Sequence, residues 1–133
     1  MATNADWTVV FDDKKIIKQS GDAAGTAYDI SDDSFWNDSK FANIWAIQYG
    51  TSVTSDEVEY RDDTAHTSFA DADIGDISQF SSRWDSAHLA QLQSDWDNDN
   101  VQVEDPAGSE TFRAETSDEK IARLGARPTS YSS

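Results

Sequence analysis

Trp7, Val9 and Phe11 share one parity in the stretch "WTVVF", and that period of two predicts a strand with one buried face. Asp12 and Asp13 supply turn chemistry, suited to positive φ or to a side-chain bond to the backbone, and "KIIKQ" (15–19) follows as the less regular return strand of a hairpin. A second hairpin is predicted over 44–63. There Trp45, Ile47 and Tyr49 share one face with Val58 and Tyr60 across the connection, while Glu57, Glu59 and Arg61 point to the wet side. The connection "GTSVTSD" exceeds a two-residue turn, so turn chemistry does not fix the register and its tip is expected to be mobile. From Asp76 the apolar spacing changes to three and four, through Ile77, Phe80, Trp84, His88 or Leu89, Leu92 and Trp96. This predicts an amphipathic helix, opened by a capping box of Asp76 with Gln79. The expected fold class is α+β: a small antiparallel sheet of two hairpins packed on one amphipathic helix.

A chain of 133 residues suits one domain with a modest core. The compact α+β domain is expected over residues 1–103, and residues 104–133 are expected to form an extended or flexible C-terminal arm with one short helix. That helix is signalled by Thr116 and Glu119 as caps for "EKIARL", stopped at Gly125. The arm is poor in apolar residues but holds four of the ten basic ones, Arg113, Lys120, Arg123 and Arg127. By contrast, residues 41–112 carry fifteen acids against only Arg61 and Arg83.

The absence of cysteine rules out disulfides and thiolate metal sites, so burial alone must hold the fold. Five Trp, four Tyr and six Phe are the material for it. A net charge of −16 disfavours direct contact with nucleic acid or an anionic membrane, either of which needs a basic footprint. Three readings of the acidity compete: adaptation to salt water, complementarity to a basic partner, and imitation of a DNA phosphate array. Aspartate makes up 20 of the 26 acids, and its short side chain suits turns and caps better than a phosphate-like array. No apolar run approaches the ~20 residues that span a bilayer. "MATNADW" lacks the regions of a signal peptide, so the chain is expected to be soluble and made in a cytoplasm.

Motifs for chemistry are sparse. Ser20–Ala27 is glycine-rich but has neither phosphate-cradling spacing. Asp95, Asp97 and Asp99 match positions one, three and five of a calcium loop, yet Asn100 stands where glycine is wanted and Pro106 where glutamate closes the shell. His66 and His88 belong to no ligand spacing, and no GxSxG elbow exposes a nucleophile. No cofactor, metal or catalytic residue is assigned. Phe35 and Trp36, set among polar residues outside any period, are the expected exposed anchors for a partner.

The segment "IWAIQYGTSVTSDEVEYRDD" pairs an "AIQ"-aromatic strand with a Gly/Thr/Ser connection and a "VEY" strand followed by acids, and a Trp-containing helix comes after it. In these features, over residues 7–97, the chain resembles small proteins of tailed phages, including marine cyanophages, encoded near tail-fibre and virion genes. The resemblance implies a non-enzymatic virion structural or assembly protein, of tail, baseplate, fibre or capsid surface. Such a protein is made in the host cytoplasm, is located in the virion, and contacts other virion proteins as part of an oligomeric assembly. The alternative is an acidic DNA-mimic inhibitor of a host DNA-binding protein or nuclease. For the assembly role the expected contact residues are Phe35 and Trp36 as anchors, the C-terminal arm with Arg113, Lys120, Arg123 and Arg127 as the main contact, and an acidic ridge of Glu57, Glu59, Asp62 and Asp63 that steers the partner or faces solvent.

Overall fold

Trp7–Val10 (β1) and Lys15–Lys18 (β2) form the first hairpin, in the register Trp7↔Lys18 to Val10↔Lys15. The left-handed residue of its turn is Lys14, at φ 51°, and not an aspartate. The structure, a computed structural model, describes residues 5–50 and 56–133. The connection expected to be mobile, at 51–55, lies outside the described residues. Ala27–Asp29 (β3) adds to the free side of β2, a strand too short to be read from its pattern. Ile44–Tyr49 (β4) pairs with β1 and with Glu57–Tyr60 (β5), so the hairpins merge into one antiparallel sheet ordered β3-β2-β1-β4-β5. Three helices follow from residue 69 onward: Phe69–Ala72 (α1), Ser78–Asn98 (α2) and Ser117–Leu124 (α3). The α+β class read from the sequence is the class of the protein.

Alternation places Trp7, Val9, Ile16, Ile47 and Val58 on the inner face, each fully buried. Phe80 and Trp84 of α2 cover that face and are as deeply buried. Trp84 meets Trp7 edge-on at 5.5 Å between centroids and Tyr28 at 5.4 Å, while Phe80 meets Phe11 at 6.0 Å. The Trp84 indole N–H donates to the Thr26 carbonyl at 3.0 Å, which satisfies its polar atom inside an apolar site. At the start of α2 the expected capping box forms only in part. Asp76 accepts from the Ser78 amide at 2.8 Å, but the Gln79 side chain donates to the Ile74 carbonyl.

Two expectations fail here for local reasons. Trp36 is buried, 7% exposed, rather than an exposed anchor. Asp33 and Asp38 cap two successive 3-10 turns, Ser34–Asn37 and Ser39–Phe41, and these fold the segment inward. Trp36 thereby packs edge-on against Phe11 at 5.2 Å, and its indole donates to the Ile30 carbonyl. Phe35, half-buried, stacks between Trp36 and the Arg83 guanidinium, which lies 3.8 Å from its ring centroid. The second failure is Trp45. A bulge between Ile44 and Ala46 inserts one extra residue against β5, so Ile44 and Ile47 both face inward and Trp45 is turned out, 45% exposed.

The chain divides into two units, one running to Ala87 with Ser132–Ser133 added, the other His88–Tyr131. The division falls inside α2 and not at the expected 103/104 boundary. In the second unit, Gln102–Glu104 (β6) and Phe112–Ala114 (β7) form a small hairpin, and α3 opens with the expected Thr116–Glu119 capping box. Residues 104–131 are therefore folded against the C-terminal half of α2, where an extended arm was expected. Trp96 donates to the Gly125 carbonyl at 3.1 Å and Gln93 to the Pro128 carbonyl at 3.0 Å. Lys120 alone is buried in this unit, its ammonium 4.1 Å over the Trp96 ring and 2.7 Å from Asn100 Oδ1. Ile121 and Phe112 are exposed.

The aromatic layer carries the first unit, which sets a direct expectation. Phe80→Ala should lower stability by about 3 to 5 kcal/mol in urea unfolding, as large-to-small changes in tight cores do. Ile121→Ala should stay within about 0.5 kcal/mol.

Candidate functional site

The bulge has a chemical result, because it sets Trp45 on the solvent face of the sheet beside the end of β5. The Arg61 guanidinium lies 5.7 Å from the Trp45 ring centroid and pairs with Asp12. The Phe11 amide donates to the Trp45 carbonyl at 3.1 Å, which ties the bulged backbone to the start of the first turn. A tryptophan held by its backbone and stacked on a paired guanidinium is a rigid apolar surface at low entropic cost.

Glu57 and Glu59 share the outer face of β5, at positions that pair with Gln48 and Ala46. Beyond the strand the chain turns back, and Thr67 pairs with Val58 on the free side of β5. The Val58 amide donates to Thr67 at 2.7 Å, and the Tyr60 and Thr67 hydroxyls meet at 2.8 Å. This return brings His66 Nδ1 onto the Glu57 carboxylate. Asp62 shapes the intervening turn, accepting from the Thr64 amide at 2.8 Å and from the Asn43 side chain at 3.0 Å. Bonds from Thr64 hold the Asp62 carboxyl below the usual carboxylate range. Asp63 is exposed beside it. Glu57 and Glu59 thus share one face of β5, Asp62 and Asp63 lie in the turn that follows, and a histidine joins the first of them. Spacing did not single out His66, because its partners lie across a non-local pairing. The signal available was the short polar turn "RDDTAHT" returning on an alternating strand.

The remaining expected contact residues lie elsewhere. Phe35 and Trp36 belong to the aromatic core and its margin. Each of the four bases is engaged inside the second unit. Arg113 forms a two-pronged pair with Glu119 at 2.6 and 2.9 Å and also reaches Asp105. Arg123 joins Asp99 and Glu115 at 2.9 and 2.6 Å, and Arg127 grips both oxygens of Asp97. These pairs also bear on the calcium-like string. Guanidinium groups already occupy the carboxylates of Asp97 and Asp99, and Asp95 accepts from Gln91 on the same helix. An open groove of about 840 Å³ runs along α2 past Asp29, Asp32, Asp33 and Arg83. Arg83 in its wall is already paired with Asp33 at 2.6 Å.

No helix among the described residues is long and apolar enough to cross a membrane. Comparison with protein-family models, with curated proteins and with solved structures finds no match for this chain.

The ion pairs of the second unit predict how it fails. Arg113 first, and then the Thr116 amide, hold the Glu119 carboxyl at about 2, below its ordinary 4.5. Arg123 lowers Glu115 and Arg127 lowers Asp97. A depressed carboxyl stabilises the fold above its ordinary pKa, and that contribution is lost as pH falls toward the folded value. Helix α3 should therefore melt locally between about pH 4.5 and 2, read as loss of amide protection over 117–124. Glu119→Gln should bring the same local loss at pH 7, and ~1 M salt should widen the loss by screening.

Proposed function

We propose that the protein is a non-enzymatic phage virion assembly protein acting through protein–protein contacts, and that the contact is made by the outer β4–β5 face. The observation that carries this reading is the exposed, backbone-anchored Trp45, its ring beside Arg61, on the sheet face that also carries Glu57 and Glu59, with Asp62 and Asp63 in the turn that follows β5. An aromatic anchor ringed by polar groups is the composition of an interface hot spot, and the acidic border favours a basic partner surface. The phage setting rests on the resemblance of the same hairpin to small tailed-phage proteins. The bases of the C-terminal region serve the second unit internally, so the contact is assigned to the sheet face.

Imitation of DNA is the weaker reading. Its acidic array would need to stand free, whereas Asp97, Asp99, Asp105, Glu115 and Glu119 are each paired with arginine.

Mass spectrometry of purified particles tests the assignment. The protein should be present at stoichiometric copy number, and Trp45→Ala or Asp63→Lys should cut incorporation about tenfold or more while leaving the fold intact. Absence from particles, together with capture of a DNA-binding protein that duplex DNA competes away, would establish the inhibitor instead.

A further inference from the structure

Glu57 and Glu59 stand two residues apart on one face of β5, so their carboxylates project to the same side. His66 comes from a separate segment, held alongside by the Val58–Thr67 pairing. One ligand atom from each of the three lies within 4.8 Å of the other two, and this is the one such group among the described residues. Carboxylates this close repel each other and call for a counter-charge. Elsewhere that charge is a guanidinium: Asp33 has Arg83, Asp97 has Arg127, and Glu119 has Arg113. Here Arg61 is directed to Asp12 and to the Trp45 ring. The Glu59 carboxylate makes no hydrogen bond or ion pair among the described residues, and the Glu57 carboxylate meets only His66 there.

We propose that Glu57, Glu59 and His66 bind a divalent transition-metal ion of the zinc type. The imidazole decides the class. Calcium and magnesium take shells of oxygen, whereas one nitrogen with two carboxylate oxygens suits zinc and its neighbours. A tetrahedral ion with bonds of about 2 Å spaces its ligands by roughly 3.3 Å, so the Glu57–His66 contact must open to admit the ion, while the Glu59 oxygen lies within 4.8 Å of both. Rotation of three partly exposed side chains supplies that movement. Three protein ligands leave a fourth position for water or for a donor from outside the chain. The site is a property of the isolated protein and does not depend on the partner proposed above.

Calorimetric titration of the full chain with Zn²⁺, followed in parallel by NMR of the histidine side chains, tests the site. We expect saturable binding at one ion per chain, with the His66 imidazole resonances shifting and those of His88 unchanged. Co²⁺ should give visible absorption bands from the same site. His66→Ala and Glu59→Gln should each weaken binding about tenfold or more with an unchanged circular dichroism spectrum. Binding that survives His66→Ala would mean ions held diffusely by the acidic surface, and would overturn the proposal. So would the absence of saturable binding up to about 1 mM.

Discussion

Everything in the sheet-bearing unit depends on the edge-on packing of α2 against β1 and the first residue after it, where Trp84 meets Trp7 and Phe80 meets Phe11. A chain of net charge −16 without cysteine has no covalent staple and pays a self-repulsion for compactness, so buried aromatic area must exceed both that and chain entropy. Aromatic side chains supply the most area per residue. The contact also sets the polarity of the sheet. With one face sealed by the helix, the other must stay wet, and the polar alternation of β5 is thereby assigned to solvent.

Much of this was legible in the sequence, because regular periods carry it. The hairpin β1–β2, the apolar stripe of α2 and the capping box of α3 are local patterns, and the structure contains each of them. What the sequence concealed was non-local. Trp45, Ile47 and Tyr49 read as one unbroken face, and only the pairing of β4 with both β1 and β5 reveals the bulge that turns Trp45 outward. Trp36 lies in no period at all, and its burial follows from aspartate caps that turn the backbone twice. His66 reaches Glu57 only because Thr67 finds Val58 across an acidic turn.

The second unit shows a different economy of folding. Its sequence has the low apolar content of an arm, yet residues 99–131 are folded, with charge pairing and backbone bonds in place of a dry core. Individual exposed ion pairs contribute little, and a network with two-pronged geometry contributes more. Lys120 beneath Trp96 illustrates the inversion, since the cation is covered while Ile121 faces water. The acidity is thus arranged in two ways in one chain: paired with arginine through much of the second unit, and along β5 carried by Glu57, which meets His66, and by a Glu59 carboxylate without a partner among the described residues.

The bulge at Trp45 also bears on how such a surface is acquired. Without that single residue, Ile44 and Ile47 would be two positions apart, on the same side of a regular strand, and Ala46 would still face out. The core contacts of β4 are thus the same with the tryptophan or without it. One inserted codon is enough to add an aromatic anchor to a finished fold, and one deleted codon to remove it. A strand of this pattern can gain or shed the exposed ring in a single genetic step, with its inward positions Ile44 and Ile47 left in place.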